Sequence, residues 1–352
     1  MTPMQRMALR ARFSLEQAAR IGWYANQNAA GARLATRVSK SLPRTPPPTI
    51  KAPGGIPERP ILLRHVRALL AKDLENVEAG LYPLPRDEPD GLPGLFKQRR
   101  LYLDDVPNVV RRRATASHQE IDRTDAARPR YYLQNFHFQT DGWLSDTSAA
   151  LYETQVETLF LGAAAAMRRQ ALIPIAERAA QQDQRTLRLL DVASGSGAFV
   201  RELSRAFPRL PVMASDLSPH YLSRAARFLS RAPGSGALVA AAEQLPIKDA
   251  SLDLVTNIYL FHELPPKIRK DVASEFARVL APGGQAIVVD SLQTGDTPEL
   301  DGLLELFPQL FHEPYYSSYL TTDFPKLFND AGLVLEDCWP AFVSKVYVFR
   351  KL

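Results

Sequence analysis

The chain holds one cysteine in 352 residues, Cys338, which excludes an internal disulfide and a cysteine-rich zinc site. No apolar run reaches the roughly eighteen residues that a membrane-spanning helix requires. The nearest, residues 159–180, is broken by Arg168 and Arg169. With no secretory hydrophobic region either, a reducing cytoplasmic compartment is the expectation. The segment HELPP, residues 262–266, lacks the second histidine of HExxH, so no metal site is expected.

Charge is scarce in one respect: outside the N-terminus the chain has no basic excess. The net charge is +5, yet residues 1–60 alone carry ten Lys/Arg against two Glu, and the remainder is about −3. The basic character therefore belongs to an arm, and nucleic-acid binding by the main body is not expected. The arm is rich in Ala and Arg, with Met4, Met7, Ala8, Ala11 and Leu15 at helical spacing and Leu9 and Phe13 off that stripe. It reads either as a peripheral contact with an anionic membrane surface or as a loosely docked extension or organelle-type presequence. Seven prolines in residues 42–60 read as a stiff linker, so residues 1–60 are expected to be a flexible arm.

Residues 61–78 place Leu62, Leu63, Val66, Leu69, Leu70, Leu74 and Val77 on one helical face, with Gly80 as the stop. Residues 81–130 are rich in Pro and Arg with little periodicity, so 61–145 is expected to be a helical and irregular accessory or lid region. A domain of residues 146–352 follows. Ser145 is a plausible N-cap for a helix to about Gly162, and a second helix runs to about Ala180. From residue 187 strands and helices alternate: strands near 187–192, 211–216, 237–241, 252–258 and 284–290, helices near 197–207, 218–231 and 266–280. That alternation predicts an α/β fold with a parallel sheet. Residues 333–339 and 344–349 flank a turn and read as a closing antiparallel pair.

The most informative stretch is LRLLDVASGSGAFVREL, residues 187–203: a buried strand, a turn with Gly195 and Gly197, then a helix. Such a turn brings backbone N–H groups and a positive dipole end to a ligand. Asp191 at the strand end would repel a phosphate and attract an ammonium or sulfonium. A dinucleotide dehydrogenase would place a third glycine where Val200 stands. The stretch resembles motif I of the class I S-adenosylmethionine-dependent methyltransferases, and DVASGSG is close to the form in the ubiquinone and menaquinone C-methyltransferases (the methyltransferase type 11/25 group). The later segments, VAAAEQLPIKDASLDLV (239–255), LDLVTNIYLFHELPP (252–266) and EFARVLAPGGQAIVVD (275–290), follow in the family's order.

The resemblance implies a Rossmann-like seven-stranded, mostly parallel sheet with an antiparallel C-terminal strand, here with an N-terminal helical extension. It implies S-adenosyl-L-methionine as cofactor, held by Asp191, Ala193, Gly195, Gly197, Asp216, Leu217, Ala242, Glu243 and Asn257. Asp216 would take the ribose hydroxyls, although it also suits a helix cap. Many relatives have Asp-Ala where Ala241-Ala242 stand, which leaves the adenine to the Ala242 backbone and Glu243. Asn257, Tyr259, His262 and Glu263 fall around the exit of the fourth strand. His262 is the expected base, with Glu263 orienting it or acting instead. The family's lid and pocket walls fall on Tyr131, Tyr132, Phe136 and His137 in one aromatic segment and on Tyr315, Tyr316 and Tyr319 in another. The expected activity is methyl transfer (EC 2.1.1) to carbon or oxygen of a small hydrophobic acceptor, quinol-, polyketide- or lipid-like. The alternatives are N-methylation of an amine, held by cation–π attraction, and a catalytically silent scaffold.

Overall fold

The computed structural model describes residues 1–43, 46–86, 90–117, 121 and 128–352. Three long helices come first: α1 (Pro3–Ser39), α2 (Arg59–Glu78) and α3 (Gly91–Ala114). Then come α4 (Asp146–Leu159), α5 (Ala164–Arg169) and α6 (Leu172–Gln181). The rest is an α/β unit: β1 (Leu189–Val192), α7 (Ala198–Ala206), β2 (Val212–Asp216), α8 (Pro219–Ala225), β3 (Gly236–Val239), β4 (Leu252–Ile258) and α9 (Pro266–Val279). It ends with β5 (Leu280–Ser291), α10 (Asp301–Leu310), α11 (Tyr316–Tyr319), α12 (Phe324–Asn329), β6 (Leu333–Ala341) and β7 (Ser344–Lys351).

The seven strands lie in the order β3-β2-β1-β4-β5-β7-β6. β7 runs antiparallel to both neighbours, and the other pairings are parallel. The order reverses between β1 and β4, and in an open α/β sheet a ligand crevice forms beyond the carboxyl ends at that point. The central strands are buried on both faces, as near-continuous apolar runs require. One face packs on α9 and α12 through Phe276, Phe324 and Phe328, and the other on α5–α7 through Met167, Ile175, Phe199 and Leu203. β5 starts at Leu280, earlier than the spacing predicts, and shifts register where residues 282–284 bulge.

The N-terminus departs from the expected flexible arm. Residues 3–39 form one helix whose buried face is Phe13, Gln17, Arg20, Tyr24, Gln27 and Gly31. That face is half polar, so apolar periodicity does not reveal it. Its polar groups are answered across the interface: Gln27 Nε2 donates to Thr158 Oγ1 at 2.6 Å, and Arg20 donates to the Gly162 carbonyl and pairs with Glu157 at 2.9 Å. A Cβ at Gly31 would stand 2.7 Å from the Tyr102 hydroxyl, which fixes how closely α1 meets α3. α3 itself falls in residues that read as irregular, because glycine and proline crowd its first turn and Pro107 sits inside it.

α2 is fastened by charge. Arg169, fully buried on α5, reaches Asp73 of α2 at 2.6 Å, and the Tyr82 hydroxyl donates to the same carboxylate at 2.7 Å. Removing one partner of a buried ion pair costs about 3–5 kcal/mol, whereas replacing both by apolar groups costs far less. Asp73→Ala is therefore expected to lower the urea midpoint sharply, and Asp73→Leu combined with Arg169→Met to restore most of it.

Candidate functional site

Two side chains of β4 tie down the end of β1. Thr256 Oγ1 donates to Asp191 Oδ1 at 2.7 Å, and Asn257 Nδ2 donates to the Val192 carbonyl at 2.8 Å. Past that seam β1 enters the glycine turn. Ala193, Gly195 and Gly197 all take positive φ, of 54°, 55° and 88°. A Cβ at Gly197 would lie 2.4 Å from Ala225 Cα, so the turn closes on α8 only because that atom is missing. Asp216, at the end of β2, clamps the turn: its Oδ2 accepts from the Gly195 N–H and its Oδ1 from the Ser218 N–H, both at 2.8 Å.

These ends surround a cleft of about 1040 Å³, counting the part open to solvent. Of the residues expected to hold a cofactor, Asp191, Ala193, Gly195, Asp216, Leu217 and Ala242 line it. Gly197 lies behind the turn against α8, and Asn257 lies in the seam with its Oδ1 buried and, among the described residues, without a hydrogen-bond partner. Glu243 stands at the edge, where its Oε1 accepts from the Tyr131 hydroxyl at 2.6 Å while its Oε2 has no such partner. Burial pushes Asp191 up to about 7, against the Thr256 hydrogen bond. Burial likewise pushes Asp216 up to about 6, against its backbone N–H donors.

The aromatic segment folds over the cleft. Tyr131, Tyr132 and Phe136 line it together with Trp143, and Ser218 Oγ donates to the Trp143 carbonyl at 2.5 Å. Ile258, Tyr259 and Leu260 from the β4 exit also line it, as do Tyr152, Glu153, Arg168 and Tyr221, and local pattern pointed to none of these last four. They converge only because α4, α5 and α8 pack together. Arg168 is the one cationic side chain among the described lining residues, and it is held between Glu157 at 2.6 Å and Glu153 at 3.1 Å.

Three expectations for the second aromatic segment change. Tyr316 and Tyr319 are buried in the core with their hydroxyls on Ser291, and Tyr315 meets Gln134 Nε2 at 3.4 Å; none lines the cleft. The four-residue helix α11 turns them inward, so they support the wall from behind.

His262, the expected base, is also behind the wall. Its Nδ1 lies 2.6 Å from Asp290 Oδ1, and Tyr259, Tyr316 and Tyr319 pack around the ring. Burial works most strongly against its charge, but Asp290 together with Glu263 and Glu313 outweighs burial and raises it to about 9, which favours the imidazolium over the neutral ring a base requires. Glu263 is the member of this pair that reaches the cleft. His137, off the lining, touches Glu263 Oε1 through Nε2 at 3.2 Å and Glu313 Oε1 through Nδ1 at 2.6 Å. Burial is again outweighed, here by Glu313 and Glu263, and His137 rises to about 10. His137 and Tyr259 both hold left-handed backbone, φ 57° and 62°, a strain that persists only where the surroundings enforce it.

The two histidines make stability pH-dependent. Their folded values lie above the unfolded value of about 6.5, so their contribution is complete below that pH and vanishes as pH rises through about 9 to 10. The melting temperature is expected to fall between pH 8 and 10, above the values of about 7 and 6 at which Asp191 and Asp216 titrate. His137→Asn with His262→Asn should flatten that slope in a calorimetric series.

Residues 189–284 match the model of a methyltransferase domain. The demethylspheroidene O-methyltransferase of Rhodobacter capsulatus is 32% identical over 115 residues, 32% of this chain and 27% of that protein. The ubiquinone/menaquinone biosynthesis C-methyltransferase of Syntrophotalea carbinolica is 33% identical over 122 residues, 34% of this chain and 50% of the relative. The malonyl-[acyl-carrier protein] O-methyltransferase of Methylococcus capsulatus is 37% identical over 99 residues, 28% of this chain and 35% of the relative. The chain thus spans a half or less of the length of these curated relatives.

Proposed function

Because this chain carries a class I S-adenosylmethionine-dependent methyltransferase domain, we propose that its cleft transfers the methyl group of that cofactor to a small hydrophobic acceptor, at carbon or oxygen. The observation that carries the reading is the glycine turn clamped by Asp216 at the point where the strand order reverses. The residues present fit the cofactor. Asp191 supplies negative charge where an ammonium and a sulfonium are to be held, a cation there returns it toward its ordinary ionised range, and Asp216 at the end of β2 is the acid for the ribose hydroxyls. The Arg168–Glu153 pair matches the two charges of an amino-acid end. Glu243 Oε2, unpartnered beside Ala242, is an acceptor for a further donor.

The bound cofactor supplies an electrophilic methyl on a sulfonium. What the chain does is align an acceptor with it and exclude water, which is the greater part of catalysis for an in-line displacement. Tyr131, Tyr132, Phe136, Trp143, Tyr152 and Tyr221 give the cleft flat, weakly polar walls suited to a quinol-, polyketide- or lipid-like acceptor. The relatives named for demethylspheroidene, for ubiquinone and menaquinone biosynthesis and for malonyl-[acyl-carrier protein] support that class.

Hydrogen bonds to a charged group are worth about 1.5–3 kcal/mol, so Asp216→Ala is expected to weaken cofactor binding roughly 10- to 100-fold by titration calorimetry. Wild-type protein with no affinity for S-adenosylmethionine would sink the reading.

For α1 we infer a peripheral contact with an anionic membrane surface. Phe13 and Tyr24 face the body, while Met4, Met7 and Leu15 are exposed on the opposite side of the helix in a segment of net positive charge. Among the described residues no helix is long and apolar enough to cross a membrane. The full chain is expected to sediment with vesicles rich in acidic phospholipid at low salt, and Met4→Asp with Met7→Asp to reduce that binding. Absence of sedimentation at low salt rejects the contact.

A further inference from the structure

Five ionisable side chains from separate parts of the chain alternate acid and imidazole beside the cleft. Asp290 Oδ1 lies 2.6 Å from His262 Nδ1, and His262 Nε2 lies 3.9 Å from Glu263 Oε1. His137 Nε2 lies 3.2 Å from that same oxygen, and His137 Nδ1 lies 2.6 Å from Glu313 Oε1. Asp290 closes β5, His262 and Glu263 sit in the turn after β4, His137 comes from the aromatic segment, and Glu313 follows α10. Glu263 is the middle member, and of the five it alone lines the cleft.

We propose, resting on the methyltransferase reading above, that Glu263 is the base that takes the proton of a phenol- or enol-type hydroxyl on the acceptor, with His137 and His262 as the positioning residues that hold its Oε1. Burial raises Glu263 above the ordinary carboxylate range, which strengthens it as a base, and the His137 hydrogen bond and the two imidazole charges act against that rise. Two imidazoles in the same surroundings would in turn be neutral, had each not a carboxylate on its far nitrogen, Asp290 for His262 and Glu313 for His137. Asp290 is itself fixed by accepting from the Phe261 and Ser291 N–H groups at 2.7 Å. The array carries alternating charge with a net −1, and it becomes neutral when Glu263 gains a proton.

The other groups around the array fit that role. Tyr259, Tyr316 and Tyr319 enclose His262, while Trp143, Phe307 and Phe311 enclose His137, all neutral rings. Tyr152 and Asp216 both feel the Glu263 charge from the cleft side. Arg269 lies near Asp290, but its guanidinium is spent on the Phe261 and Tyr315 carbonyls, Ser318 and Thr322. An acceptor already anionic would meet the Glu263 charge, and an ammonium, though attracted by that carboxylate, has no lone pair to attack the methyl until it gives up a proton. A neutral hydroxyl that ionises in place avoids that repulsion. In that step the O–H bond breaks and the proton passes to Glu263. The oxygen's electron pair forms the O–CH3 bond as the S–CH3 bond breaks with its pair left on sulfur.

The experiment follows labelled methyl transfer to 1,4-naphthohydroquinone and to a primary-amine analogue of the same ring, with cofactor affinity measured separately by calorimetry. Glu263→Gln is expected to lower kcat on the hydroquinone at least 100-fold with cofactor Kd unchanged, the scale of a lost general base. His137→Gln is expected to keep measurable turnover while moving the acidic limb of the pH profile upward. A Glu263→Gln variant with wild-type rate and profile overturns the assignment, as does wild-type protein that methylates the amine in preference to the hydroquinone. Failure to bind cofactor overturns the methyltransferase reading instead. Histidine NMR titration of the full chain decides the array independently of turnover. Two imidazoles titrating above pH 8, both lowered by Glu263→Gln, support it, and ordinary titration near 6.5 overturns it.

Discussion

The seam between β1 and β4 is the constraint from which the site is built. Two parallel strands whose continuations leave in opposite directions must separate at their carboxyl ends, and Thr256 and Asn257 decide where that happens. Because Asn257 holds the last carbonyl of β1, the chain beyond it is free to turn at once, and the positive φ values of Ala193, Gly195 and Gly197 follow in sequence. Because Thr256 holds Asp191, a buried carboxylate is retained at the end of β1. On the other strand the chain turns equally sharply at Tyr259, which delivers Glu263 to the cleft and His262 to the core.

Around that seam the molecule buries charge in several places, and in each the charge joins elements distant in sequence. Arg169 with Asp73 joins α5 to α2, Arg20 and Arg168 with Glu157 join α1, α4 and α5, and the acid–imidazole array joins β5, the β4 exit, the aromatic segment and the loop after α10. Apolar residues would bury with less desolvation penalty. Ion pairs instead demand one partner at one distance, so the helical layer is held to the sheet in a single register. Specificity of placement is what these pairs contribute.

Much of the α/β half was legible in its sequence. Strand–helix alternation, a glycine turn after an acid and a second acid closing the next strand are local signals, and residues 187–258 fold as those signals imply. The residues that escaped reading have a common reason. Tyr152, Glu153, Arg168 and Tyr221 enter the cleft by packing of helices far apart in the chain. α1 docks through glutamine and arginine, which an apolar stripe does not register. Adjacent residues His262 and Glu263 had opposite fates because a turn of three residues points neighbours in different directions, and no spacing rule resolves that.

The helical layer does more than cover the sheet. From Arg20 on α1 a continuous path of polar contacts runs to Glu157 at 2.9 Å, to Arg168 at 2.6 Å and to Glu153 at 3.1 Å. It ends at Ser196, whose hydroxyl donates to Glu153 at 2.7 Å from within the glycine turn. The first helix is thus fastened, through three buried side chains, to the same turn that faces the cleft, so the helical layer and the site share one polar scaffold.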